Sequence, residues 1–241
     1  WISRAQRWCA RRRVLGADWL LTGFSVHDAC DPETGGAVDV VMTLVNADGS
    51  VAEMSGNGIR CLAQAAVMAG LGGAGSLVVA TDAGLRTIEH RPSAEGDPAT
   101  LEASVDMGPA RPGPEPDHDV EISVGDVPPA SATALGLDAR RSATFDLGNP
   151  HLVLLVDDPD AVDLVAGGST HEAAFAHGMN VHFVAPTPGE VDAVTMRVWE
   201  RGAGVTEACG TGATAVARAT HDWGLTGPRV TVHMPGGDVT V

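Results

Sequence analysis

Apolar and polar side chains alternate cleanly over residues 101–107. Leu101, Ala103, Val105 and Met107 fall on one face, and Glu102, Ser104 and Asp106 on the other, which predicts a strand. Apolar runs predict further strands at 38–45, 76–80, 85–90, 151–156, 180–185, 192–199 and 229–233. Helical signals are fewer. Residues 59–69 and 213–223 are Ala-rich, and Gly70 and Gly224 are placed to end them. Neither segment has a clear polar face, as expected of a helix surrounded by sheet. The predicted class is therefore α/β in the broad sense (α+β), with many strands and few helices.

The two helical segments belong to a repeat. Residues 53–58 read Glu-Met-Ser-Gly-Asn-Gly and residues 207–212 read Glu-Ala-Cys-Gly-Thr-Gly. The offset of 154 also places Met42 on Met196, Val51 on Val205, Ala63 on Ala217, Ala65 on Ala219, Gly70 on Gly224 and Leu71 on Leu225. Two related half-chains are implied, each with a glycine turn opening a helix. Pro109, Pro112, Pro114 and Pro116 mark 108–118 as the linker. The halves are then 1–110 and 118–241.

Composition narrows the function. With 15 basic and 31 acidic residues the formal charge is −16, which argues against nucleic acid or an anionic membrane as partner. No run is long and apolar enough to span a membrane. All the basic residues are Arg, so no lysine is present to hold pyridoxal phosphate as a Schiff base. Amino-acid chemistry would have to run without that cofactor. Cys9, Cys30, Cys61 and Cys209 form no CxxC pair, and a reducing cytoplasm is the default compartment. The chain starts at Trp1 and stops at Val241 within a predicted strand, so both ends are expected to be incomplete. His171, Glu172 and His177 lack the spacing of a zinc helix motif, and neither glycine turn completes a nucleotide fingerprint. No metal is expected.

The chemistry centres on the duplicated turns. A helix N-terminus offers unpaired N–H groups and the positive end of a dipole. Gly56, Gly58, Gly210 and Gly212 let an anion approach that backbone, and two such ends can hold one carboxylate. They would also stabilise the charge that develops when the neighbouring carbon loses a proton. Ser55 and Cys209 occupy the same point of the two turns. Together they could take a proton from one face of a carbon and return it to the other. The helix end should lower the Cys209 pKa from about 8.5 and suit it to act as a base. The other three cysteines read as structural.

Several long segments resemble diaminopimelate epimerases. Asn46 to Cys61 is similar to the family's first signature. Gly148-Asn149-Pro150-His151, Gly178-Met179-Asn180-Val181, Glu200-Arg201-Gly202 and Ala208-Cys209-Gly210-Thr211-Gly212 follow in order. Arg12 to Asp18 is similar to an early Arg-Gly-Ala-Asp region. The resemblance covers nearly the whole chain. It implies two pseudo-symmetric domains, each a barrel-like sheet around a central helix, with the active site in the cleft between them. It implies cofactor-free conversion of LL-diaminopimelate to the meso form by two thiols, in lysine and peptidoglycan precursor synthesis, and a cytoplasmic homodimer. The thiol positions fall on Ser55 and Cys209, and a supporting acid–base pair on His151 and Glu200. Substrate contacts fall on Asn46, Asn149, Asn180 and Arg201, with Gly56-Asn57 and Gly210-Thr211 holding the reacting carboxylate.

General chemistry agrees for Arg201, which can pair bidentately with a distant carboxylate. The Asn residues, His151 and Glu200 read equally well, on sequence alone, as turn caps, a loop histidine and a surface ion-pair member. The chain departs from the family at Ser55, since a hydroxyl is a far weaker acid than a thiol. An engineered change, a natural variant of altered activity and a loss of activity all fit. Trp19 replaces a glycine usual after Gly-Ala-Asp, and the chain begins after an N-terminal segment whose Asn contacts substrate in the family. Two other readings remain: a proline or hydroxyproline epimerase of the same fold, and a non-catalytic substrate-binding relative.

Overall fold

The computed structural model describes residues 19–25, 38–46, 49, 51–71, 73–94, 100–117 and 141–241. Arg12 to Asp18, Cys9 and Cys30 lie outside them. The chain divides into two compact units, Trp1–Gly108 and Pro109–Val241. Both are mixed α+β, the class expected from the sequence.

In the first unit, β1 (Trp19–Ser25), β2 (Val40–Asn46), β4 (Ser76–Thr81), β5 (Gly84–Pro92) and β6 (Leu101–Val105) lie in that order, and β3 (Val51–Ala52) pairs with β2. β2 and β4 are parallel, and the other pairs are antiparallel. Helix α1 (Gly56–Met68) connects β3 to β4, because parallel neighbours require a crossover. Ile59, Leu62, Ala63 and Ala66 of α1 pack with Val40, Met42, Leu44, Leu77, Val79 and Ile88 of the sheet. The helix is not wholly enclosed. Cys61, Ala65 and Met68, spaced four and three apart, lie on one exposed flank.

In the second unit, β7 (Arg111–Pro112), β8 (Ser142–Asp146), β9 (Pro150–Leu155), β10 (Asn180–Pro186), β11 (Ala193–Glu200), β13 (Thr231–Met234) and β14 (Gly237–Thr240) form one sheet, with β12 (Gly204–Thr206) paired to β11. Part of the proline-rich segment thus joins this sheet as edge strand β7, the place where proline costs no ladder bond. Helix α2 (Leu164–Glu172) packs near β10 and β11, and α3 (Gly210–Asp222) connects β12 to β13. Alternate residues of β10 serve different neighbours. Val181 and Phe183 join Leu152, Leu154, Val162, Phe175 and Met179 in a core. His182 points the other way, against Gly212 of α3.

The repeat read from the sequence is a repeat of structure. β1-β2-β3-α1-β4-β5 and β10-β11-β12-α3-β13-β14 have the same order and the same parallel and antiparallel pairings. Both helices end in one motif: Leu71 N–H donates to Ala66 O and Leu225 N–H to Thr220 O, each at 2.9 Å. Gly70 and Gly224 there have φ of +74° and +71°, the left-handed region that glycine enters without strain.

Helix α2 was not predicted. Gly167 and Gly168 weaken its pattern, but Gly168 is required by packing, because a Cβ there would lie 2.3 Å from Trp199 Cγ. Asp163 caps it, accepting from Val165 and Ala166 N–H at 3.1 and 3.0 Å. That aspartate was the available signal.

Candidate active site

Ser55 and Cys209 are the N-caps of α1 and α3, with nearly identical backbones: φ −142°, ψ 119° and φ −139°, ψ 110°. Gly58 N–H donates to Ser55 Oγ at 3.0 Å, and Gly212 N–H to Cys209 Sγ at 3.4 Å. Each of the two side-chain atoms is therefore held at the positive end of a helix, engaged with its third N–H.

The sulfur is buried among polar groups. Thr211 Oγ1 lies 3.5 Å from Sγ, and Cys209 N–H donates to Met234 Sδ at 3.5 Å. Asn149 Nδ2 donates to Thr211 Oγ1 at 3.4 Å. Asn149 Oδ1 is 2.9 Å from His151 Nε2, and His151 Nδ1 is 2.8 Å from His182 Nε2. His151 and His182 have no solvent exposure, and Thr211 and Asn149 are buried. β9 and β10 place the two histidines on one face of the sheet because the strands are parallel with His151 opposite Asn180.

Burial decides the charges. It pushes the Cys209 thiol well above its ordinary range, and the Glu200 carboxylate pushes the same way, while hydrogen bonds from Thr211 and Gly212 oppose them. The helix end was expected to leave a low-pKa thiol; burial and Glu200 push it up instead, by more than the hydrogen bonds pull it down, and the resting group is a thiol. Burial also lowers His182 to about 3. His151 is held well below the histidine range by burial, then by His182 and Arg201. Both imidazoles are neutral near pH 7.

The other predicted residues divide by what they touch. Glu200, at the end of β11, accepts from Thr206 Oγ1 at 2.6 Å. Asn180 is engaged with backbone: its Nδ2 donates to Pro150 O at 2.9 Å and its Oδ1 accepts from Arg201 N–H at 3.0 Å. Arg201 Nη1 donates to His177 O at 3.3 Å. Gly56 and Asn57 open α1, where Arg60 bonds both Asn57 Oδ1 and Gly56 O; Gly210 and Thr211 open α3. Asn46 ends β2, and its side chain lies outside what is described. Sequence reasoning missed His182, Thr206, Arg60 and Met234. Only His182 carried a signal, as a histidine within an otherwise apolar strand. Among the described residues no group of three or more His, Cys, Asp or Glu is placed to hold a metal ion.

Known proteins share this chain's sequence and fold. The diaminopimelate epimerase family model matches residues 4–112 and 143–241. A diaminopimelate epimerase of Corynebacterium glutamicum is 37% identical, over 97% of this chain and 78% of its own length. One from Heliobacterium modesticaldum is 36% identical, over 100% of this chain and 81% of its own. Among solved structures, a hydroxyproline epimerase from Agrobacterium vitis, with bound trans-4-hydroxy-L-proline, superposes with a TM-score of 0.69 at 16% identity, covering 98% of this chain and 71% of that one. A phenazine biosynthesis protein of the PhzF family from Bacillus anthracis gives 0.60 at 16% identity, covering 99% and 79%. The two solved structures share the fold. The sequence matches reach further, since they run through both halves and carry the turns around Ser55 and Cys209: this chain belongs to the diaminopimelate epimerase family.

Proposed function

We propose that the protein inverts the α-carbon of diaminopimelate, converting the LL form to meso by proton removal and return without a cofactor. The observation that carries this reading is the pair of matched helix N-termini, with Ser55 and Cys209 in one backbone geometry. Family membership supplies the substrate. The remaining helix-end N–H groups at Gly56-Asn57 and Gly210-Thr211 would hold the α-carboxylate and stabilise the carbanion that forms on proton loss. Arg201 would take the distant carboxylate. Asn46, Asn149 and Asn180 would contact the amino-acid ends, with the two units serving as the two epimerase halves.

The resting protonation of Cys209 casts it as the proton donor for one direction, leaving position 55 to supply the base. The base accepts the α-proton, the C–H electron pair stays on carbon, and the thiol returns a proton to the opposite face. In the reverse direction the roles exchange. Glu200 and His151 would support these changes of charge from beside the sulfur. A serine hydroxyl gives almost no base near neutral pH, so the chain as it stands should turn over slowly. The reading extends to a cytoplasmic homodimer. Proline-type substrates lack the second carboxylate that Arg201 would take, so that alternative is weaker.

The test is proton NMR of LL- and meso-diaminopimelate in heavy water, following loss of the α-hydrogen. Ser55→Cys should exchange and interconvert the isomers at least about a hundredfold faster than the parent, within the range of general acid–base catalysis. Substrate binding without exchange in either protein would replace this reading with a non-catalytic relative.

A further inference from the structure

We infer that His182 is a positioning residue that sets the direction of a buried hydrogen-bond chain ending on the Cys209 sulfur. The inference rests on the reading of Cys209 as the proton carrier. The chain runs His182, His151, Asn149, Thr211, Cys209, with separations of 2.8, 2.9, 3.4 and 3.5 Å.

Such a chain has two self-consistent polarities. In the forward one, His182 Nε2–H donates to His151 Nδ1. His151 Nε2–H then donates to Asn149 Oδ1, Asn149 Nδ2–H to Thr211 Oγ1, and the Thr211 hydroxyl to sulfur. In the reverse one every donor becomes an acceptor: the Asn149 amide turns over, and the thiol donates to Thr211. The forward polarity serves a thiol or a thiolate, since sulfur accepts in both, while the reverse requires the thiol proton.

The two differ at the far end. His182 Nδ1 is buried and has no hydrogen-bond partner among the described residues. Gly212 lies over that edge of the ring, so closely that a Cβ there would sit 2.8 Å from Nδ1 and 2.3 Å from Cε1. Forward polarity leaves an unpaired lone pair at Nδ1, while reverse polarity leaves an unpaired N–H. A buried orphan N–H is the rarer and costlier defect. His182 therefore biases the chain forward, toward the state that donates to sulfur. It does so without charge, because both imidazoles are neutral. The charged groups acting here are Glu200 on the thiol and Arg201 on His151. The Glu200 carboxylate opposes a thiolate, so a neutral chain of aligned donors is what offsets part of the burial. The register counterpart of His182 in the first unit is Leu21, since Leu21 pairs with Leu44 as His182 pairs with Val198. Among the described residues, this support belongs to the second turn.

Long-range nitrogen–proton NMR of the imidazoles in the full chain reads the polarity directly. Both rings should be neutral and protonated at Nε2. Protonation of His151 at Nδ1, or a cationic ring near pH 7, would overturn the inference. Alkylation of Cys209 by iodoacetamide at about pH 8.5, followed by mass spectrometry of its peptide against time, supplies the second readout. His182→Leu should slow it about tenfold, and His182→Gln, which keeps a donor toward His151, should restore it. An unchanged rate in a folded His182→Leu protein would also overturn it. Neither measurement needs turnover, so success here with no α-proton exchange would sink the epimerase reading alone.

Discussion

The two helix-opening turns have one backbone and two environments. At the first, Ser55 Oγ caps α1 and is half-buried, and Asn57 at the second helical position is bonded by Arg60. At the second, Cys209 is buried, and Thr211, the repeat partner of Asn57, is bonded to Asn149 and faces the sulfur. The cap and dihedrals follow from local sequence and survive the change from serine to cysteine. The protonation state follows from burial and from strands β9 and β10, which are remote in sequence. Duplication of a backbone therefore does not duplicate its chemistry.

The sharpest break of this comparison is at the two capping side chains. Cys209→Ala should lower α-proton exchange in the Ser55→Cys protein by about a thousandfold or more, while circular dichroism stays unchanged. Equal residual exchange would deny the second turn its proposed role. Next comes Thr211→Val, which removes the hydroxyl between Asn149 and sulfur. Leaving a buried amide donor unpaired should cost about 1–3 kcal/mol in urea unfolding and lower exchange about tenfold. Asn57→Val, at the matching solvent-accessible position, should do neither to the same extent.

A third contrast is one of pH. His151 and His182 are neutral when folded and protonate in the unfolded chain below about 6.5. The unfolded state then binds more protons, so stability is full above that pH and falls as pH drops toward the lowered folded values. The loss is about 1.4 kcal/mol per pH unit for each histidine. Denaturation midpoints between pH 7 and 5 should show this slope, and His182→Leu should reduce it. The smallest effect is a control. Gly70→Ala and Gly224→Ala meet no atom within 4 Å, so each should cost only its backbone strain, about 1 kcal/mol. Unequal costs would mean the two helix ends differ more than their bonds indicate.

Much of the fold was legible because it is periodic or punctuated. The strands around Val79, Ile88 and Val184 announce themselves as apolar runs, and Gly70 and Gly224 stop the helices where local chemistry requires. The short strands β3, β7 and β12 were not legible, because two or three residues carry no period. The turns at Ser55 and Cys209 were found through repetition. Their difference was not, because the burial that raises the thiol comes from side chains on other strands. Asn180 shows the same limit: it reads as a substrate contact or a cap, and two of its bonds go to the backbone at Pro150 and Arg201.

The paired crossovers carry a consequence for how the chain reaches this state. In each half, two parallel neighbours meet only after a helix has been laid between them: Val40 beside Val79, and Val194 beside Val232. The stretch of chain to be closed is nearly the same length in both, so its entropic cost is nearly the same. Neither half has a head start from topology. The order of assembly then falls to side chains, and the half whose strand β10 is covered on both faces gains more apolar contact per residue ordered. Refolding should therefore show protection of the Val181–Val184 amides before that of the Val40–Val45 amides, a ranking in time between two pieces of backbone that are alike in space.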